Sequence, residues 1–157
     1  MAVEVAAASA SIVSFAFKRH DVFLSFRGED TRKTFVSQLY NALCQKKIAT
    51  YKDDVKLQIG DEIPVGLFKA IKESKMAIVV FLKTYAFTLW CLSELNHIVQ
   101  CGKKSTYCIL PVFYEVDPSH VRSQKESYAD AFLKHEDSKH TEADIKHGKM
   151  RCHQLPI

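Results

Sequence analysis

The chain has no apolar run of membrane-spanning length. Its longest uninterrupted one, Met76 to Leu82, is far short of the ~20 residues a spanning helix needs. Glycine is scarce, with five residues, and neither G-x-x-x-x-G-K-[ST] nor G-x-G-x-x-G occurs, so a P-loop or dinucleotide fingerprint has no support. The five cysteines, Cys44, Cys91, Cys101, Cys108 and Cys152, form no C-x-x-C pair. Being odd in number and set in or beside apolar runs, they read as buried free thiols in a reducing, cytoplasmic or nucleocytoplasmic setting. Charge is also weak: Lys+Arg 22 against Asp+Glu 18 gives +4, spread along the chain, which demands neither nucleic acid nor an acidic membrane.

What is present is an ordinary globular composition, 47% hydrophobic and 25% charged over 157 residues, which allows one domain with a real core. Residues 1–19 are Ala/Ser-rich and carry no basic residue before Lys18-Arg19, unlike a secretory signal. They read as a disordered leader. The rival reading, an organellar transit peptide, would carry several arginines.

From His20 onward, strand and helix patterns alternate. Asp21 to Phe26 reads as a strand broken by Arg27-Gly28-Glu29-Asp30. Phe35, Leu39, Ala42 and Leu43 then recur at helical spacing behind a cap at Asp30 or Thr31. Ile48 to Tyr51 is a short second strand, and Lys52 to Gly60 a polar loop. A helix follows with Asp61 as cap, Pro64 in its first turn and Ile63, Leu67, Ala70 and Ile71 inward. Met76 to Leu82 is apolar without alternation, as a central parallel strand covered on both faces is. A helix from about Trp90 turns Leu92, Leu95 and Val99 inward. Tyr107 to Tyr114 is a fourth strand that Pro111 places at an edge, because proline cannot donate to a ladder. Asp117-Pro118-Ser119 opens a loop, and Tyr128, Ala131, Phe132 and His135 mark a last helix. Residues 137–157 are polar, without clear periodicity, and read as a poorly ordered tail.

This alternation implies a doubly wound α/β fold, with ligands bound outside the carboxyl ends of the strands. Those ends supply Arg27 to Asp30, Asp53-Asp54, and the 83–90 loop with Glu94 just beyond it. Glu94 lies about 100° from the centre of the Leu92/Leu95/Val99 stripe, so its carboxylate faces either a cleft or water. A response-regulator site fails, since Lys83-Thr84 stand where its aspartate would be. His135, His140, His147, His153 and Cys152 lack metal-site spacing, so no metal is expected. Cys91 has no recognisable histidine partner for nucleophilic catalysis.

Four ordered motifs then identify a family. They are Asp21-Val-Phe-Leu-Ser-Phe-Arg-Gly-Glu-Asp-Thr-Arg32, Asp53-Asp54 with Leu57 and Gly60-Asp-Glu-Ile63, Tyr85-Ala86 leading to Trp90-Cys-Leu-Ser-Glu-Leu95, and Pro111-Val-Phe-Tyr-Glu-Val-Asp-Pro-Ser-His-Val-Arg122. Together they closely resemble the TIR (Toll/interleukin receptor) domain of plant immune receptors, over about residues 20–136. The resemblance implies a flavodoxin-like three-layer fold whose parallel sheet runs in the order 2-1-3-4. It also implies an NAD(P) glycohydrolase or cyclase activity that releases nicotinamide and is switched on by self-association in plant immune signalling. NAD or NADP is then substrate, with no permanently bound cofactor. By the family pattern Glu94 is the catalytic glutamate, Arg27 and Gly28 lie by the phosphate or ribose, Gly60 lets the mobile loop approach, and Trp90 walls the pocket.

Departures from the family pattern point the other way. Ile59 stands where members have an arginine, Phe87 and Thr88 where they have small serines, Ser37-Gln38 where they have Ser-His in the first pairing helix, and Ala129 where the later pairing surface has glycine. These favour a competing reading, a catalytically weak interaction module acting as adaptor or decoy for full-length receptors. Relatives also continue with a further strand and helix where this pattern fades after Glu136. A domain without its fifth strand and last helix is therefore expected, less stable than a complete relative.

Overall fold

The first strand, β1 (His20–Ser25), runs through the centre of a four-stranded parallel sheet in the computed structural model, which describes residues 18–28, 35–52, 65–104 and 106–137. The further strands are β2 (Thr50–Lys52), β3 (Ser74–Phe81) and β4 (Cys108–Phe113), in the order β2-β1-β3-β4. This is the expected order. In register, His20 stands opposite Ser74, Val22 opposite Thr50 and Met76, and Met76 opposite Cys108. Among the described residues β4 pairs only with β3, so Pro111, opposite Val79, can turn its donorless nitrogen to the side left unpaired there.

Among the described residues, five α-helices flank the sheet: α1 (Phe35–Gln45), α2 (Val65–Lys72), α3 (Leu89–Gly102), α4 (Pro118–Ser123) and α5 (Ser127–Asp137). Alternation along the strands divides the core in two. Val22, Leu24, Phe26, Ile78 and Val80 pack under α1 with Val36. Phe23, Ala77, Val79 and Phe81 pack on the other face, against Leu67 and Ile71 of α2, Leu92, Leu95 and Ile98 of α3, and Tyr128 and Phe132 of α5. Each fully buried Leu, Ile or Phe contributes about 1.5–3 kcal/mol. The result is three layers.

Three local expectations are corrected. Ala42 is exposed, because the inward stripe of α1 runs through Phe35, Val36, Leu39, Tyr40 and Leu43. Asp117-Pro118-Ser119 starts a helix rather than a loop: the Asp117 carboxylate accepts from the Ser119 N–H at 2.7 Å, and Pro118 occupies the first turn, where its missing donor costs nothing. Of the four described cysteines, none of them in a disulfide, only Cys91 and Cys101 are buried. Cys44 is on the exposed side of α1, and Cys108 is exposed at the start of the edge strand. The leader to residue 17, the caps at Asp30, Thr31 and Asp61, the loop with Asp53, Asp54, Ile59 and Gly60, and the tail from 138 lie outside the described residues.

Candidate active site at the carboxyl end of the sheet

With strand order 2-1-3-4, successive crossovers leave β1 and β3 on opposite sides, and the crevice between their carboxyl ends is the switch point. Three chain segments meet there. β1 ends in Ser25, with Phe26, Arg27 and Gly28 behind it. β3 ends at Phe81 and passes through a 3-10 turn, Tyr85–Phe87, into α3. Thr88 caps α3, its hydroxyl accepting from the Cys91 N–H at 3.3 Å. The cap fixes the start of the helix, and so the azimuth of Trp90 and Glu94, which share one face at i,i+4 spacing.

Glu94 is 2% exposed. Of the two sequence alternatives, water is excluded. Ser25 Oγ donates to Glu94 Oε2 at 2.6 Å and Trp90 Nε1 donates to Oε1 at 2.8 Å, so both carboxyl oxygens are held. Two donors from different directions compensate for part of the cost of removing a carboxyl group from water. Ser25 is held in turn: its Oγ lies 3.0 Å from the Tyr85 hydroxyl oxygen, and Tyr85 O–H donates to the Cys91 carbonyl at 3.1 Å. Burial pushes the Tyr85 hydroxyl well above the usual tyrosine range, with Coulombic repulsion from Cys91 and Glu94 adding to the effect. It therefore stays a neutral phenol.

Around this centre, Arg27 Nη1 donates to the Thr84 carbonyl at 3.4 Å, tying the end of β1 to the loop after β3. Gly28 follows it, half-buried. Two contacts from α5 clamp the same loop. Tyr128 O–H donates to the Leu82 carbonyl at 2.9 Å, and buried His135 places Nε2 2.7 Å from the Ala86 carbonyl oxygen. Phe87 is half-buried, with Lys134 Nζ 5.8 Å from its ring centre.

The structure thus brings Glu94, Trp90, Arg27 and Gly28 to one end of the sheet. The Trp90 indole N–H is bonded to Glu94, a contact that the expected role as an aromatic wall does not include. Ser37 and Gln38 on α1 and Ala129 on α5 are not brought together; their helices cover opposite faces. The sequence pattern does not single out Ser25 or Tyr85, which the structure places beside Glu94 and Ser25 respectively. Ser25 left one signal, a lone hydroxyl inside an apolar strand at its carboxyl end. His135 stands apart from any metal set, and among the described residues no cluster of three or more His, Cys, Asp or Glu could hold a metal ion. Nor is any helix among them long and apolar enough to cross a membrane.

A family model described as TIR domain matches residues 19–149. The chain is 57% identical over 117 residues to TMV resistance protein N of Nicotiana glutinosa, covering 74% of this chain and 10% of that protein. It is 48% identical over 119 residues to disease resistance protein RPV1 of Vitis rotundifolia, covering 76% of this chain and 8% of that protein. The chain therefore spans about a tenth of the length of these curated relatives. Among solved structures, the TIR domains of the activated Roq1 resistosome, which directly recognizes the pathogen effector XopQ, superpose with a TM-score of 0.76 at 47% identity. That match covers 86% of this chain and 82% of the other. On the family match, these identities and the shared fold, the chain belongs to the TIR domain family.

Proposed function

We propose that this domain splits the nicotinamide–ribose bond of NAD or NADP, with Glu94 as the catalytic carboxylate, in plant immune signalling. The observation that carries the reading is the position of Glu94: a buried carboxyl group at the switch point of a doubly wound sheet, gripped at both oxygens by Ser25 and Trp90. Nicotinamide leaves as a neutral group, so the reaction needs little acid assistance. Departure leaves an oxocarbenium-like ribose, and a carboxylate held at low dielectric stabilises that positive charge and can bind the ribose hydroxyls. Arg27 and Gly28, on the same rim, are suited to the phosphates and the ribose.

At 2% exposure Glu94 meets a ribose only when one of its donors gives way. Trp90 is the half-buried partner and Ser25 the buried one, so the indole is the contact that yields. Self-association is the switch in this reading: pairing that displaces Trp90 or the loop before it uncovers the carboxyl group. The same burial supports a second reading. If the grip on Glu94 never opens, the chain is an interaction module that pairs with full-length receptors as adaptor or decoy.

The two readings separate in one assay. Purified protein, free and crowded on a multivalent surface, is incubated with NAD while nicotinamide is followed, beside Glu94→Ala. Release that rises on crowding and disappears in the variant supports the hydrolase. No release in either state, or equal release by the variant, leaves the interaction module.

A further inference from the structure

In a parallel sheet each helix-to-strand turn falls at the amino end of the strands, opposite Glu94. Among the described residues, the turns at that end hold eight cations. Lys18 and Arg19 precede β1, Lys46 and Lys47 lie between α1 and β2, Lys72 and Lys75 flank Glu73 at the start of β3, and Lys103 and Lys104 lie between α3 and β4. All eight are exposed. The strand order sets the four turns side by side, about 14 Å across at roughly 4.8 Å per strand. The register staggers the strand starts by only two positions.

Contacts join neighbouring turns into one surface. The His20 N–H donates to the Glu73 carbonyl at 3.1 Å and the Asp21 N–H to the Ala49 carbonyl at 2.7 Å. Lys18 Nζ donates to the Lys72 carbonyl at 2.6 Å and lies 5.6 Å from the Tyr107 ring centre. Among the described residues of these turns the opposing carboxylates are Asp21, 2.6 Å from Lys75 Nζ, and Glu73, 3.6 Å from Arg19 Nε. Among the described residues of these turns, eight cations against two carboxylates leave a net +6, in a chain whose total is +4. Charge that is evenly spread along the sequence is gathered in space by the topology.

The chemistry of the face favours one class of partner. Seven of the eight cations are lysines, point charges on flexible stems, rather than arginines with a fork shaped for bidentate contacts. They come from four separate turns spread along the edge-to-edge width of the sheet. The chain also enters β1 here from residues 1–17, a stretch with thirteen hydrophobic residues and the single charge Glu4. An apolar segment next to a basic patch is the pair of signals that anionic bilayers retain.

We propose that the amino end of the sheet is a docking surface for an anionic lipid bilayer. Docked so, the domain turns its Glu94 end outward, about 26 Å away along the eight residues of β3. The site stays open to substrate and to other copies.

The test is flotation of the full chain with vesicles of phosphatidylcholine alone or with phosphatidylserine at about a third of the lipid. Partitioning should strongly favour the anionic vesicles and weaken steeply as salt rises from low to physiological strength. At about fivefold per cation, the triple variant Lys46→Gln, Lys103→Gln, Lys104→Gln should bind about 100-fold less. A charge-matched triple near the other end, Lys83→Gln, Arg122→Gln, Lys125→Gln, should lose less than about threefold. Equal partitioning to both vesicles overturns the proposal, as does equal loss in the two triples. Preference for duplex DNA over anionic vesicles at matched phosphate also overturns it, in favour of a nucleic-acid face. Circular dichroism of each triple confirms that the compared proteins are folded.

Discussion

Ser25 Oγ lies 2.6 Å from Glu94 Oε2, joining the last residue of β1 to the second turn of α3 across 69 positions of sequence. Removing it should be felt twice. Ser25→Ala leaves a buried carboxyl oxygen short of a donor, at a cost of about 1–3 kcal/mol read from the urea midpoint. If Glu94 is catalytic, its looser placement should lower kcat about tenfold or more with little change in KM. A stability loss with unchanged kcat would make Ser25 a structural partner only.

Trp90 is the chain's single tryptophan, and its indole N–H donates to the other oxygen of Glu94. Its emission therefore reports on the site without reference to turnover. Crowding on a multivalent surface should red-shift Trp90 emission and raise its quenching by acrylamide, as the indole leaves Glu94. Trp90→Phe keeps the ring packing, deletes that donor, and should lower the crowding needed for nicotinamide release. Emission unchanged on crowding, in a sample that does release nicotinamide, would rule out Trp90 as the contact that yields.

Tyr85 sets an alkaline limit. Burial raises its hydroxyl above the usual value in the folded state, as it does for Tyr107, while the unfolded chain ionises near pH 10. For a group whose folded value is raised, stability is fully present below the unfolded value and is lost as pH climbs through and beyond it. Urea midpoints should therefore be flat from pH 8 to about 9.5 and fall above pH 10. Tyr85→Phe should flatten that fall without abolishing it, since Tyr107 remains. An unchanged slope in the variant would contradict the placement of Tyr85.

α5 supports the site from outside through Tyr128 and His135, which hold the Leu82 and Ala86 carbonyls. Tyr128→Phe removes the hydroxyl donor from the Leu82 carbonyl, which keeps the Tyr85 N–H at 3.2 Å, and should cost about 0.5–1.5 kcal/mol. Phe132→Ala, on the same buried stripe, should cost about 3–5 kcal/mol through the cavity it opens. Hydrogen exchange should show Tyr128→Phe loosening the 83–88 loop before the rest of the sheet. Uniform loosening would deny α5 a specific hold on the site.

Most of the architecture could be read from local pattern, because each strand and helix carries its own period. The unbroken run Met76 to Leu82 placed β3 at the centre, and Pro111 placed β4 at the edge. Short elements are less legible: α4 is six residues, too few for an apolar stripe, so from sequence its Asp117 cap and Pro118 read as the start of a loop. Glu94 was recognisable as a candidate, but its burial depends on Ser25 and Tyr85, which periodicity in α3 cannot report. The lysine face was hidden for the same reason, since its members come from four separate turns.

The most direct test of Glu94 as the catalytic group is nicotinamide release by Glu94→Gln on a multivalent surface, beside the unaltered domain. Glutamine keeps the shape and one acceptor oxygen, which serves the Trp90 N–H, while its amide NH2 donates to Ser25 Oγ, and the charge that would stabilise the ribosyl cation is removed. Release should fall at least about 100-fold in a variant still folded by circular dichroism. Release at the unaltered rate would contradict the assignment.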